Sequence, residues 1–147
     1  MPIQILPLMA DQKSQWHPLW RGYQTFYKTD IPEAVSDVTW ARLLDPTEPM
    51  GGALAWIDGK AIGLVHHIMH RSCWTAGDYC YLQDLFVADA ARGQGIGRKL
   101  IEYVYDYAKI KGCSRVHWLT HESNTDAMKL YDNIASRSGF IQYRHLL

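Results

Sequence analysis

The sequence is short of several things, and each shortage narrows the field. It has no charge excess: 15 Lys and Arg offset 15 Asp and Glu across 147 residues. Such a balance offers no surplus cationic surface, so neither nucleic acid nor a membrane is expected as a partner. Cysteine is scarce and odd in number, with Cys73, Cys80 and Cys113 in no recognisable spacing. That argues for reduced thiols and against a disulfide frame. No apolar run approaches the roughly 20 residues of a membrane span, and no signal-like segment opens the chain, so a cytoplasmic location is expected. Repeats, linkers and low-complexity stretches are absent too, and residues 1–147 are expected to form one domain with a real core.

What is present is aromatic and periodic. Six Trp and nine Tyr suit a stacked pocket or an oligomer contact. After a short strand at Ile3–Leu6, Asp11 is a plausible cap for a helix reaching about Lys28. Its Trp16, Leu19, Trp20, Tyr23, Phe26 and Tyr27 recur at three and four. This reads as a buried face, with Tyr23 and Tyr27 placed to line a pocket. A second helix, Val38 to Leu44, is capped by Ser36 or Asp37 and ended by Asp45-Pro46. The acids between 29 and 50, Glu33 among them, suit either solvated loops or a cationic substrate.

Gly52–Ile57 and Ala61–Met69 flank Asp58-Gly59, a hairpin signal. His66 and His70 share one face of the second strand and His67 takes the other. No Cys or carboxylate completes a ligand set, and no metal is expected. Tyr79–Val87 is nearly unbroken apolar residues, as in a strand covered on both faces, yet it carries Gln83 and Asp84. These two neighbours can share a cavity only if a bulge intervenes. A long helix then buries Ile96, Leu100, Ile101, Val104 and Ala108 and stops at Gly112. Arg115–Thr120 is a strand, and a helix from Ser123 or Asn124 to about Ser138 turns Ala127, Leu130, Tyr131 and Ile134 inward. Phe140–Leu146 is expected as a last strand. The order predicts a mixed α/β sandwich whose strand–helix–strand unit places 79–87 and 115–121 parallel.

The long helix starts against the rules. Arg92-Gly93-Gln94-Gly95-Ile96-Gly97 puts glycines where a Ser, Thr or Asp cap belongs, followed by Arg98 and Lys99 at the positive end of the dipole. Bare N–H groups flanked by cations describe a cradle for a phosphate anion. A P-loop needs four residues between its glycines and then Lys-Ser/Thr, which are missing. A dinucleotide fold needs Gly-x-Gly-x-x-Gly and a second half, although Glu122 loosely mimics its ribose-binding acid. The pyrophosphate of coenzyme A is the third ligand class.

Arg92-x-x-Gly95-x-Gly97 after an apolar strand resembles the acyl-CoA signature of the GNAT N-acetyltransferase superfamily. Tyr81–Val87 (YLQDLFV) and Trp118–Asn124 (WLTHESN) are similar to its fungal histone/polyamine acetyltransferase branch and bacterial relatives. The resemblance implies a GNAT-like fold: a mostly antiparallel sheet, a splayed parallel pair (79–87 and 115–121) and helices on both faces. It also implies acetyl-CoA as donor, with CoA as product. Backbone N–H groups of Gly93, Gln94, Gly95, Ile96, Gly97 and Arg98 would hold the pyrophosphate, with Arg92 alongside. Leu85, Phe86 and Val87 would pair with the pantetheine arm, and a bulge would free an N–H near Leu85 or Phe86. Asn124 would contact the coenzyme or cap its helix.

The implied reaction is direct transfer to a primary amine: a small amine or polyamine, an amino acid, or a protein lysine. Tyr131 would protonate the leaving thiolate. Gln83 stands where family members often carry a glutamate, so Asp84 is the first choice of base and Glu122 or His121, through water, the second. Tyr27 and Glu33 join Gln83, Asp84, His121 and Glu122 as candidate acceptor contacts. Gly139 follows Tyr131 by eight residues instead of the family's common four, and the chain ends after one strand where many members have two. An open edge is therefore expected, covered in a homodimer or larger homo-oligomer. A non-catalytic acyl-CoA-binding module is the alternative reading.

Overall fold

The computed structural model describes residues 2–147. Strand β1 (Gln4–Pro7) and a 3-10 turn precede helices α1 (Lys13–Phe26) and α2 (Glu33–Leu44). Strands β2 (Met50–Ile57), β3 (Lys60–His70) and β4 (Tyr79–Val87) follow, then α3 (Ile96–Ile110), β5 (Arg115–His117) and α4 (Thr125–Ile134). The sheet runs β1-β2-β3-β4-β5, antiparallel except for the parallel pair β4–β5. The β2–β3 turn has both Asp58 (φ 50°) and Gly59 (φ 74°) left-handed, the geometry a two-residue hairpin needs.

Each face of the sheet has its own core. On one, α3 sets Ile96, Leu100, Ile101, Val104 and Ala108 against Ala53, Val65, Cys80 and Leu82, with Leu130, Tyr131 and Ile134 of α4 at the margin. Leu100, Ile101 and Val104 are fully buried, each stabilising by about 1.5–3 kcal/mol. On the other, α1 and α2 set Trp16, Leu19, Trp20, Trp40 and Leu43 against Leu54 and Leu64. The helical spacings of α1 and α3 thus read out as the two layers that sandwich the sheet.

Several boundaries differ from the sequence expectation. Asp11 lies in the 3-10 turn, and Gln12 precedes α1 without a side-chain cap. Helix α2 starts at Glu33, because the Pro32 carbonyl already accepts the N–H groups of Val35 and Ser36. Ser36 is therefore no cap: it is fully buried, its hydroxyl accepting the Trp20 indole N–H at 3.1 Å. Helix α4 stops at Ile134, whose carbonyl accepts the Tyr105 hydroxyl at 2.9 Å, and does not run on to Ser138.

The expected last strand, Phe140–Leu146, does not form. Strand β5 pairs with β4 over only three residues, a ladder too short to template another strand. Phe140, Ile141, Tyr143 and Leu146 are 76–90% exposed.

Candidate active site

The decisive local feature is a bulge in β4. Register with β3 runs His67↔Leu82 and then His66↔Asp84, so Gln83 has no partner. One extra residue reverses the facing of everything after it. Cys80 and Leu82 face α3, and beyond the bulge Leu85 and Val87 do so, while Phe86 joins the α1 face. Without the bulge Asp84 would lie beside Leu82 in the aliphatic core. With it, Asp84 turns to the α1 face and finds polar company.

There Asp84 is 8% exposed and its Oδ2 lies 3.0 Å from His66 Nδ1. The other ring nitrogen, Nε2, accepts the Trp16 indole N–H at 2.9 Å. The Tyr23 hydroxyl is directed at Asp84, and its pKa is pushed far up by burial first and then by the Asp84 charge. Tyr27 and Tyr81 are raised by the same two causes. Tyr23 stacks on Trp20 at 5.1 Å and Tyr27 leans on Tyr23 at 4.7 Å. The result is a carboxylate at the foot of an aromatic wall, a setting that suits an organic cation.

The glycine turn is built as a cradle. Gly93 (φ 81°) and Gly95 (φ 75°) are left-handed, and a Cβ on either would meet nothing within 4 Å. Gly95 takes the N-cap position of α3 without a side-chain cap bond. The Lys99 N–H reaches the Gly95 carbonyl at 3.2 Å, so the N–H groups of Gly95 to Arg98 have no partner within the helix. The turn is exposed apart from Ile96, which anchors it in the core, and Gly97, which a Cβ would bring 3.7 Å from Leu130. These features fit a pyrophosphate group. Arg92 faces away from them: it donates to the Val87 carbonyl at 3.2 Å, pairs with Asp89 at 3.0 Å and lies over Phe26 at 5.2 Å. Arg98 pairs with Glu102 at 3.5 Å, and Gln94 is exposed.

Between the cradle and Asp84 runs a gap. Strands β4 and β5 pair from Tyr79↔Arg115 as far as Tyr81↔His117, and residues 82–87 have no β5 partner. A narrow cleft at the split is lined by Tyr27, Leu82, Gln83, Leu85, Trp118 and Tyr131. Tyr131 meets the Trp118 ring edge-on at 5.4 Å, and its pKa is pushed up to about 12 by burial first and the Tyr27 charge second.

The structure thus gathers Gln83, Tyr27 and Tyr131 at the cleft, with Asp84 beside them. Other candidates lie apart. Glu33 is exposed and held by His17 at 2.9 Å, which above all lowers its pKa, and by Arg21 at 3.0 Å. His121 and Glu122 are exposed on the turn before α4, where His121 Nδ1 accepts from Ser123. Asn124 takes the N-cap position of α4, its carbonyl accepting the Met128 N–H at 3.1 Å, but its side chain makes no cap bond: the amide donates to Thr120 Oγ1 at 3.3 Å. In the sequence alone His66 stands out only as a possible metal ligand and Trp16 only as a core residue. The signal was there: one imidazole and one carboxylate on adjacent buried strands each demand a partner.

Comparison with known proteins agrees with this geometry. The model of the acetyltransferase (GNAT) family matches residues 14–135. A D-amino-acid N-acetyltransferase of Saccharomyces cerevisiae is 40% identical over 144 residues, 97% of this chain and 89% of the relative. A thialysine N-epsilon-acetyltransferase of Sus scrofa is 37% identical over 63% of this chain and 49% of its own length. Among solved structures, AAC(6')-Iy with a CoA-linked bisubstrate analog superposes with a TM-score of 0.87 at 17% identity, covering 100% and 99% of the two chains. A ribosomal-protein-alanine N-acetyltransferase from Brucella melitensis biovar Abortus 2308 gives 0.79 at 22% identity, covering 99% and 100%. Those likenesses show the shared fold, and the family match with the 40% relative shows the kinship: the chain belongs to the GNAT acetyltransferase family and is an acetyl-CoA-dependent N-acetyltransferase.

Proposed function

We propose that the protein acetylates a small primary amine, an amino acid in the first place, by direct attack in a ternary complex. The observation that carries this reading is Asp84: a buried carboxylate turned by the Gln83 bulge toward an aromatic wall, beside the split between β4 and β5. The yeast relative's activity on D-amino acids supports an amino acid ahead of a polyamine or a peptide lysine.

Acetyl-CoA supplies the activated acetyl group. The N–H groups from Gly93 to Arg98 would hold its pyrophosphate, and Leu85, Phe86 and Val87, paired with β3 but without a β5 partner, would line the gap for its pantetheine arm. A primary amine of pKa near 10.4 is free base in only roughly one molecule in two thousand at pH 7. Asp84 attracts the ammonium form beside the rings of Tyr23 and Tyr27 and takes its proton, directly or through water. Gln83 carries no basic group, so it orients and does not deprotonate. His121 and Glu122, exposed before α4, are the second choice of base. Tyr131, whose raised pKa keeps its hydroxyl protonated at neutral pH, gives a proton to the departing sulfur.

Two further proposals concern the state of the protein. The outer edge of β5 and the apolar residues of 140–147 both lack cover within the chain, which supports a homodimer or larger homo-oligomer that closes them. A sedimentation run at micromolar concentration showing only monomer would overturn that. Three free thiols suit the reducing cytoplasm.

The acceptor is tested by thiol release from acetyl-CoA with a panel of D- and L-amino acids, polyamines and a lysyl peptide. The expected result is turnover of amino acids with the highest kcat/KM. Preference for spermidine or the peptide would overturn the amino-acid assignment.

A further inference from the structure

The Asp84–His66–Trp16 chain allows a stronger statement than its burial alone. Indole nitrogen only donates, so His66 Nε2, at 2.9 Å from Trp16 Nε1, must accept. A neutral imidazole carries one donor and one acceptor, so the ring proton sits on Nδ1, 3.0 Å from Asp84 Oδ2. The opposite tautomer would set two N–H groups head to head. A proton on both nitrogens would do the same, so Nε2 has no seat for one while Trp16 stays in place. Trp16 is fully buried and wedged between Trp20 (5.9 Å) and Trp40 (4.9 Å), so it is not free to turn away.

This inverts the familiar order of a carboxylate–histidine pair. There the carboxylate orients the imidazole, and the imidazole handles the substrate's proton. Here the imidazole lies behind, closed off by an indole, and the carboxylate is in front.

We propose that His66 is a positioning residue of the transfer reaction: with its tautomer set by Trp16, it donates a fixed N–H to one oxygen of Asp84 and aims the other at the acceptor amine. The proton taken from the amine then stops at Asp84 or leaves through the acceptor side; it does not pass to His66. The inference rests on the reading of Asp84 as the group that meets the amine. The other titratable groups facing this pair are Tyr23 and Tyr27 from α1 and Tyr81 from β4, with His67 adjacent on β3 but turned to the opposite face. α2 contributes only Ser36 and Trp40 here.

Two substitutions separate positioning from bulk. In His66→Asn the amide nitrogen falls near the position of Nδ1 and can still donate to Asp84. In His66→Gln the amide falls near Nε2, where it can accept from Trp16 but not donate to Asp84. The expected result is that His66→Gln lowers kcat/KM for the amine about 10- to 100-fold, the worth of a hydrogen bond to a charged group. His66→Asn should recover most of that loss, and the KM for acetyl-CoA should hold in both. The wild-type protein supplies a readout free of activity and of variant folding: two-bond proton–nitrogen correlation on 15N-histidine-labelled enzyme. It should show His66 as the Nδ1–H tautomer at about pH 8. Trp16→Phe, which removes the indole N–H, should let the Nε2–H tautomer appear beside it. An Nε2–H tautomer, or equal loss in the Asn and Gln variants, would overturn the proposal. Full activity in Asp84→Asn would instead overturn the reading of Asp84, while the tautomer measurement would still report on His66.

Discussion

The two faces of the sheet solve different problems. On the α3 face the interior is mainly aliphatic, with His67 buried beside Tyr107, and its function sits at the rim in backbone atoms: the bare N–H groups of the glycine turn and the stretch of β4 without a β5 partner. On the α1 face the interior is aromatic and carries polar groups inside: His66, Asp84 and Ser36, hydrogen-bonded to side chains, and Gln24, whose carbonyl oxygen accepts the Ile31 N–H. A coenzyme used by a whole family can be read by backbone geometry, which tolerates sequence change as long as the glycines stay. An acceptor amine needs a charge in a defined place, and that takes side chains with partners. The single unpaired residue Gln83 is where one logic gives way to the other.

This contrast can be broken from either side. Gly95→Glu puts a carboxylate into the cradle at a left-handed position, and should abolish CoA binding by calorimetry, a loss of at least about a thousandfold, with little change in the fold. Leu100→Ala hollows the α3 face and should cost about 2–5 kcal/mol in urea unfolding, while the folded enzyme keeps its KM for the amine.

His67, on that same dry face against Tyr107, gives a sharper test through pH. Burial, above all, lowers its pKa from 6.5 to about 4. Folding thus favours the neutral ring, so its contribution is complete above about pH 6.5 and is lost as pH falls toward 4. The shift corresponds to about 3 kcal/mol. Stability of the wild type should fall across that window more than that of His67→Leu, measured by urea titration at each pH.

Tyr131→Phe is the mildest. A thiol's ordinary pKa near 8.5 makes its thiolate a fair leaving group, so kcat should drop about 10- to 100-fold. With its pKa at about 12, Tyr131 should add no falling alkaline limb to the wild-type profile over the usual assay range.

Much of this was legible in the sequence where a rule has one physical solution. The uncapped helix start at Gly95, the buried stripe of α3 and the Asp58-Gly59 hairpin came through unchanged. The expectation that Gln83 and Asp84 need a bulge came through as well, because alternation permits no other way out. What did not come through depends on distant partners. Glu33 is spent on Arg21 and His17, 12 and 16 positions away, pairings no spacing reveals. Phe140–Leu146 has strand-like residues but no ladder to join, and apolar patterning cannot report the length of a neighbouring edge. The Trp16–His66–Asp84 chain joins residues 50 and 18 positions apart, and only the folded sheet brings them together.

The division of labour between the two faces is tested most directly by Asp84→Asn, assayed for CoA binding and for acetyl transfer on the same preparation. CoA should bind with the wild-type Kd, while kcat/KM for the amine falls by about 10² to 10⁴. Wild-type turnover, or a loss of CoA affinity that matches the loss of turnover, would contradict the account.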